Sequence, residues 1–142
     1  DPNIIMTDYV VGDPLKELYS NCGLFVLPSH TEGLSLSLLE ALSIGARCLV
    51  SDIPENTVVA DIYGASFTPE DTDDLARALE RECAQEYPDA MRQQQIRYIH
   101  TNFEYEVMLD RYEEVYHHVV GDPLKAMPST LKKKKVPAGA KA

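Results

Sequence analysis

The sequence predicts an α/β fold with a short, mostly parallel sheet flanked by helices. Two short apolar runs, at residues 24–27 and 47–51, each end in turn-forming residues, a pattern that is typical of buried strands. Longer segments between and after these runs carry apolar residues at helical spacing. Strands that alternate with helices in this way are typical of a parallel sheet with crossover helices.

Composition and charge limit the partners that the chain can have. Its 142 residues, 44% of them hydrophobic, suffice for one domain with a modest core. The formal net charge of −10 argues against a nucleic acid as partner. This charge is uneven, because residues 1–120 hold 7 basic and 22 acidic residues whereas residues 121–142 hold 6 and 1. We therefore predict a folded domain at 1–120 and a basic, disordered tail at 121–142.

The first elements of the chain are predicted to be a strand and a helix. Residues 3–6 have the apolar character of a strand that lies inside a domain, so we interpret the chain as an N-terminally truncated fragment. Residues 13–22 are predicted to form a helix, with Asp13 as its N-cap and Pro14 at its first position.

The strand at 24–27 leads into a predicted anion site. The loop after this strand contains Glu32 and Gly33, and it is followed by a Leu-rich helix that we expect to begin at an N-cap, Ser35, and to end at Gly45. Gly33 would either let a ligand come close to the backbone or adopt a positive φ. Because helix N-termini at the carboxyl edge of a parallel sheet favour anions, phosphate is the expected ligand.

Two acidic residues flank the start of this helix. Helical side chains lean toward the N-terminus, so Glu40 is expected to point back toward the loop that carries Glu32. Both carboxylates could then meet one ligand, and the two hydroxyls of a sugar cis-diol are suitable donors for Glu40. Alternatively, Glu40 lies at the edge of the apolar stripe, bonds Ser37 or Ser43 and has no further role.

The remaining elements follow the same alternation. We predict a strand at 47–51, a short helix at 56–63, a strand at 65–67 and helices at 75–86, 90–101 and 103–120. Acidic residues at 70–74 are expected to cap a helix, since no His or Cys joins them at the spacing of metal ligands, and we expect no metal site. Three scattered cysteines indicate a reducing, cytoplasmic setting.

One motif resembles a known family. Residues 28–45 read Pro-Ser-x-x-Glu-Gly-Leu-x-Leu-x-Leu-Leu-Glu-Ala-Leu-x-x-Gly and are followed by Leu-Val-Ser-Asp at 49–52. This pattern resembles the Glu-x7-Glu region of family 4 glycosyltransferases, which are retaining enzymes of GT-B architecture. The resemblance extends from about residue 3 to residue 120. It implies a partial Rossmann-like fold, namely that of the donor-binding C-terminal domain of such an enzyme.

The resemblance also implies a function and a set of site residues. Such enzymes transfer a glycosyl group, with retention, from a nucleotide-sugar to an acceptor, which can be a glycan, a lipid or a small molecule, and they need no cofactor. Glu32 would be the catalytic residue at the donor sugar, and Glu40 would bind the ribose hydroxyls. Backbone N–H groups for phosphate or sugar would come from Gly33, Leu34, Ser35 and Leu36. The nucleotide base would pack against Tyr9 and Val10, although Tyr9 could instead belong to the core.

The same resemblance implies that much of the enzyme lies outside this chain. The N-terminal domain with its acceptor site is missing, so we expect the isolated chain to be inactive. A non-catalytic binding or scaffolding domain that keeps the fold is the alternative. In the strand order 3-2-1-4-5-6 the two central strands are also missing, so residues 3–6 would pair with 24–27 or fray. The Lys-rich tail could contact an anionic membrane weakly or remain solvated.

Overall fold

The structure, a computed structural model, describes residues 1–120, so the predicted basic tail at 121–142 lies outside it. Packing divides the chain into a first unit, Asp1–Phe103, and a second unit that starts at Glu104. The elements of the first unit are α1 (Asp13–Asn21), β1 (Phe25–Leu27), α2 (Leu36–Ile44), β2 (Cys48–Ser51), α3 (Pro54–Ala60), a 3-10 turn (Asp61–Tyr63), β3 (Gly64–Phe67), α4 (Thr72–Ala84) and α5 (Asp89–Phe103). The described part of the second unit is one amphipathic helix, α6 (Tyr105–Val120).

The three strands form one parallel sheet in the order β1-β2-β3. Phe25 lies opposite Cys48, which in turn lies opposite Gly64. Helix α2 connects β1 to β2 and helix α3 connects β2 to β3, so each connection is a βαβ crossover. The predicted fold class, a partial Rossmann-like α/β fold with a short parallel sheet flanked by helices, is therefore confirmed.

Apolar side chains cover both faces of the central strand, all four residues of which are buried. Cys48 and Val50 point to one face, where they join Leu38 and Leu42 of α2 in the larger core cluster. Leu49 points to the other face and packs in a smaller cluster beneath α4. A strand enclosed in this way reads as a continuous apolar run, which is why its sequence predicted it well.

Helix α5 is fastened to the end of α2 by polar side chains. The fully buried Gln95 donates from Nε2 to the main-chain oxygens of Leu42, at 2.9 Å, and Ala46, at 3.0 Å. Arg92 donates from Nη1 to the main-chain oxygen of Gly45 at 2.9 Å. These bonds supply donors to carbonyl groups in the last turn of α2 and just after it. Such carbonyl groups receive no hydrogen bond from a following helical turn.

The structure corrects two predictions near the N-terminus. Residues 3–6 do not form the predicted strand, and Ile4, Ile5 and Met6 are 67%, 80% and 86% exposed. Of the two outcomes expected for this segment, pairing with 24–27 is not observed and the unpaired segment is. Among the described residues, β1 pairs with β2 alone, so this segment has no neighbouring strand to complete its hydrogen bonds. Asp13 is also not the N-cap of α1. Gly12 occupies that position with φ 69°, and Asp13 lies in the first turn.

Candidate functional site

The loop between β1 and α2 opens at the carboxyl edge of the sheet, as predicted. Ser35 is the N-cap of α2, and its Oγ accepts a hydrogen bond from the N–H of Leu38 at 3.4 Å. The first N–H groups of a helix have no acceptor within it, so those of Leu36 and Ser37 remain available to a ligand. The dipole of α2 adds partial positive charge at this end, which makes it suited to an anion.

Gly33 has only one of the two properties expected of it. It does not have a positive φ, which among the described glycines occurs at Gly12 and Gly45. A Cβ built on Gly33 would meet no atom within 4 Å. The space around its backbone is therefore open, as the close approach of a ligand requires.

Glu32 is held within its own loop. The hydroxyl of Ser29 donates to Glu32 Oε1 over 2.6 Å, and both side chains are part-buried. The main-chain oxygen of Ser29 accepts a hydrogen bond from Ser51 Oγ, also over 2.6 Å. Ser51 accepts in turn from Asn56 Nδ2 at 3.0 Å. Glu32 is thus connected to the end of β2 and the start of α3.

A cleft of about 150 Å³ runs along the carboxyl ends of all three strands. It is lined by Ser29 after β1, Ser51 at the end of β2 and Phe67 at the end of β3. His30 and Glu70 stand at its border, with 3.2 Å between Nδ1 and Oε1. The cleft has the position at which open α/β sheets bind their ligands.

Glu40 lines a second cleft, of about 340 Å³, between α1 and α2. The hydroxyl of Tyr19 lies 3.5 Å from Glu40 Oε2, longer than a typical O–H···O hydrogen bond of about 2.7 Å. Glu40 is exposed, so its carboxylate is more open to solvent than its place among leucines suggested. Ser43 donates to the main-chain oxygen of Glu40, and Ser37 contacts Ser35, so neither serine forms the predicted alternative bond to this carboxylate.

Glu40 lines one of these two clefts, whereas Glu32 lines neither of them. Ser29, which bonds Glu32, lines the cleft along the strand ends, whereas Glu40 lines the cleft against α1. That both carboxylates meet a single ligand therefore stays a prediction.

The pKa of Tyr19 is raised above its ordinary value. Burial of the phenol is the main cause, and the nearby negative charge of Glu40 adds to it. The phenol of Tyr19 therefore keeps its proton to a higher pH than an ordinary tyrosine does.

The residues predicted to contact a nucleotide base lie before α1. Tyr9 is 90% exposed, so the alternative that it packs in the core is wrong. Val10 is half-buried and lines a hollow together with Leu18 and Cys22. Asp8 has φ 54°, a conformation that glycine adopts without strain. Contact of Tyr9 and Val10 with a base stays a prediction.

Sequence reasoning missed the side chains that hold the loop of Glu32 in place. Ser51 and Asn56 were assigned no role, although both are buried and bonded toward Ser29. A serine at the end of an apolar strand was the only available signal, because burying a hydroxyl requires a partner. The partner itself could not be identified from spacing.

Two further findings concern the whole described part of the chain. Residues 1–120 contain no group of three or more His, Cys, Asp or Glu side chains that could hold a metal ion. In the same range, every helix is too short or too polar to cross a bilayer.

The fold and this site define a Rossmann-like α/β domain in which the start of α2 is suited to an anion, with Glu32 before this helix and Glu40 within it. Residues 1–85, more than half of the chain, match the family model described as "Glycosyl transferases group 1". The chain therefore belongs to this family. The predicted resemblance to glycosyltransferases is thereby confirmed.

Curated relatives agree with this family. The chain is 40% identical over 78 residues to "Serotype-specific mannosyltransferase WbdA" of Escherichia coli, a match that covers 55% of the chain and 10% of the relative. It is 50% identical over 38 residues to "N,N'-diacetylbacillosaminyl-diphospho-undecaprenol alpha-1,3-N-acetylgalactosaminyltransferase" of Campylobacter jejuni subsp. jejuni serotype O:2, which covers 27% of the chain and 10% of the relative. The matched part is thus about a tenth of each relative's length. No solved structure matched the chain significantly.

Proposed function

We propose that this chain forms part of the donor site of a retaining, metal-independent glycosyltransferase of GT-B architecture. The observation that carries the proposal is the Ser35-capped start of α2 at the carboxyl edge of the sheet, with Glu32 before it and Glu40 within it. The substrate would be a nucleotide-sugar in the cytoplasm, and no further cofactor takes part.

The diphosphate of the donor would bind at the start of α2. Backbone N–H groups of residues 33–36 and the positive end of the helix dipole favour its negative charge. The open space around Gly33 supports this assignment, because a phosphate must come close to the backbone to accept these bonds. The same groups would stabilise the nucleoside diphosphate as it departs.

Each acidic residue would bind a different part of the donor. Glu40 would accept hydrogen bonds from the two ribose hydroxyls, each charge-assisted bond contributing about 1.5–3 kcal/mol. The volume of its cleft, about 340 Å³, supports this role, because small-molecule sites begin near this size. Glu32 would contact the donor sugar near the reacting carbon, and Tyr9 and Val10 would contact the base.

The acceptor and the rest of the catalytic site would come from outside this chain. The N-terminal domain that binds a glycan, lipid or small molecule is not part of it, so the isolated chain would not turn over. Mannose and N-acetylgalactosamine donors are the first to test, because those sugars appear in the names of the relatives.

Binding of the donor is the test of this proposal. We expect the chain to bind GDP-mannose or UDP-N-acetylgalactosamine in a calorimetric or NMR titration. Glu40→Gln should weaken that binding at least about tenfold, because it removes the negative charge that strengthens both ribose hydrogen bonds, and a loss of about 1.4 kcal/mol in total already corresponds to that factor. Glu80→Gln is the matched control, since it removes the same charge from an exposed position on α4.

Two results would contradict the proposal. Wild-type protein that binds neither donor would remove the basis for a donor site in this chain, and unchanged binding by Glu40→Gln would exclude the assigned role of Glu40. A transfer assay on a full-length protein that contains this chain would distinguish the enzyme from the non-catalytic alternative, in which the donor binds and no sugar is transferred.

A further inference from the structure

We propose that Ser29 is a positioning residue that holds the Glu32 carboxylate toward the donor sugar, and that Ser51 and Asn56 hold Ser29 in place. This inference rests on the proposed function, because it requires Glu32 to contact the sugar. It adds three residues to the site, none of which was assigned a role in donor binding.

The contact between Ser29 and Glu32 is short and direct. Ser29 Oγ lies 2.6 Å from Glu32 Oε1, within the range of hydrogen bonds from a hydroxyl to a charged carboxylate. A glutamate in a loop has three rotatable side-chain bonds, and this hydrogen bond selects among their rotamers. Because Ser29 donates to one acceptor site of the carboxylate, it fixes the plane of this group and so the direction in which the remaining acceptor sites face a sugar hydroxyl.

Ser29 is itself fixed to the sheet. Its main-chain oxygen accepts from Ser51 Oγ over 2.6 Å, and Ser51, the last residue of β2, is 1% exposed. Asn56 Nδ2 donates to Ser51 Oγ over 3.0 Å from the first turn of α3. Buried hydrogen bonds of this kind are strengthened by the low dielectric constant around them. The loop after β1 is thereby held to the strand and the helix that follow it.

The burial of Asn56 supports a specific use of its amide. The side chain is completely buried, and its Oδ1 has no hydrogen-bond partner among the described residues. A buried oxygen without a partner lowers the stability of the fold, and an apolar residue at this position would avoid that cost. The hydrogen bond from Asn56 Nδ2 to Ser51 Oγ is the interaction that offsets this cost.

The test compares a nucleotide-sugar with its own nucleoside diphosphate: GDP-mannose with GDP, and UDP-N-acetylgalactosamine with UDP. We expect Ser29→Ala to weaken binding of the nucleotide-sugar roughly 3- to 10-fold, the value of one net hydrogen bond, and to leave the diphosphate affinity unchanged. Ser29→Thr keeps a hydroxyl, so the ratio of its nucleotide-sugar affinity to its diphosphate affinity should equal that of the wild type. In a Glu32→Ala background, which removes the acceptor of the Ser29 hydroxyl, Ser29→Ala should have no additional effect on binding of the nucleotide-sugar.

Ser20→Ala is the matched control, because it removes a hydroxyl that bonds only the main-chain oxygen of Lys16 on the exposed side of α1. If Ser29→Ala weakens both ligands equally, its role is structural and the inference is overturned. An unchanged nucleotide-sugar affinity of Ser29→Ala also overturns the inference. The proposed donor site would remain supported in that case if Glu40→Gln still weakens binding. If the wild-type chain binds none of the four ligands, the donor site and this inference fall together.

Discussion

At the scale of single residues, the surroundings of Tyr19 link the stability of the fold to alkaline pH. Its side chain is 9% exposed, and its ring packs edge-on against Phe25 with 5.6 Å between the ring centroids. The phenol must therefore lose its proton at a partly desolvated position beside the carboxylate of Glu40. Both conditions disfavour the phenolate, which is why the pKa of Tyr19 is raised.

This raised pKa predicts how stability depends on alkaline pH. The folded state holds the Tyr19 proton more tightly than the unfolded state, so the contribution to stability is complete below the ordinary tyrosine pKa of about 10. It is lost as the pH rises through the higher pKa of the folded state. We expect Tyr19→Phe to show a shallower alkaline decrease in the free energy of unfolding than the wild type, measured by urea unfolding from about pH 8 to about pH 11.

Tyr9→Phe is the control for this experiment, because Tyr9 is 90% exposed and its phenol meets solvent in both states. Burial also raises the pKa of Tyr87 and of the Cys48 thiol, but these groups are present in every variant. The difference between wild type and Tyr19→Phe thus isolates Tyr19. The prediction would be contradicted if the free energy of unfolding decreased equally with alkaline pH in the wild type and in Tyr19→Phe.

At the scale of secondary-structure elements, the two ends of α2 determine where the site and the central strand lie. Ser35 caps the start, and Gly45 ends the helix with φ 84°, in the left-handed region. The N–H of Gly45 donates to the main-chain oxygen of Leu42, and that of Ala46 donates to Ala41. This termination allows the chain to enter β2 at Cys48.

Replacing the glycine at the end of α2 should therefore destabilise the fold. A non-glycine residue in the left-handed conformation loses about 1–2 kcal/mol, and we expect at least this decrease in the free energy of unfolding for Gly45→Ala. The new Cβ would also collide with the side chain of Arg92, which bonds the Gly45 carbonyl. Urea unfolding at neutral pH measures the difference.

Gly33→Ala provides the matched control for this substitution. Gly33 has no positive φ, and a Cβ at this position meets no atom within 4 Å, so its change in stability should stay within about 0.5 kcal/mol. Equal losses of stability in the two variants would show that the backbone conformation of Gly45 is not the cause.

At the scale of the whole molecule, no described strand pairs with the outer edge of β1. In the Rossmann-type strand order 3-2-1-4-5-6, strands β1, β2 and β3 would be strands 4, 5 and 6. The segment at 3–6 would be strand 3 of that order, and strands 1 and 2 would separate it from β1. Since no described strand lies beside it, its apolar side chains remain exposed.

Hydrogen exchange tests this account of the N-terminal segment. In a dilute monomer we expect the amide of Ile5 to exchange at close to the rate of an unfolded chain, because it belongs to no strand. The amides of Leu49 and Val50 in the central strand should exchange slowest. Ile4 is a poorer reporter because its N–H donates to Asp1 in a local turn. Protection of Ile5 similar to that of Leu49 would contradict the prediction.

The amino-acid sequence alone determined the local features of this protein. The crossover order, the central strand and both ends of α2 were predictable, because apolar spacing, a capping serine and a left-handed glycine act over a few residues. The Glu-x7-Glu motif identified the family in the same local way. The apolar pattern at 3–6 predicted a strand that does not form, because a strand also depends on a neighbour, and the expected alternative of an unpaired segment is the one observed.

Only the tertiary structure decided which side chains support the site. Tyr19 meets Glu40 from 21 residues away, and Ser51 meets Ser29 from 22 residues away. Gln95 reaches the end of α2 across 53 residues. These pairs form because parallel crossovers bring the strand ends to one edge and pack the helices against one another. A hydrogen bond between distant residues depends on that packing, and no spacing within the sequence encodes it.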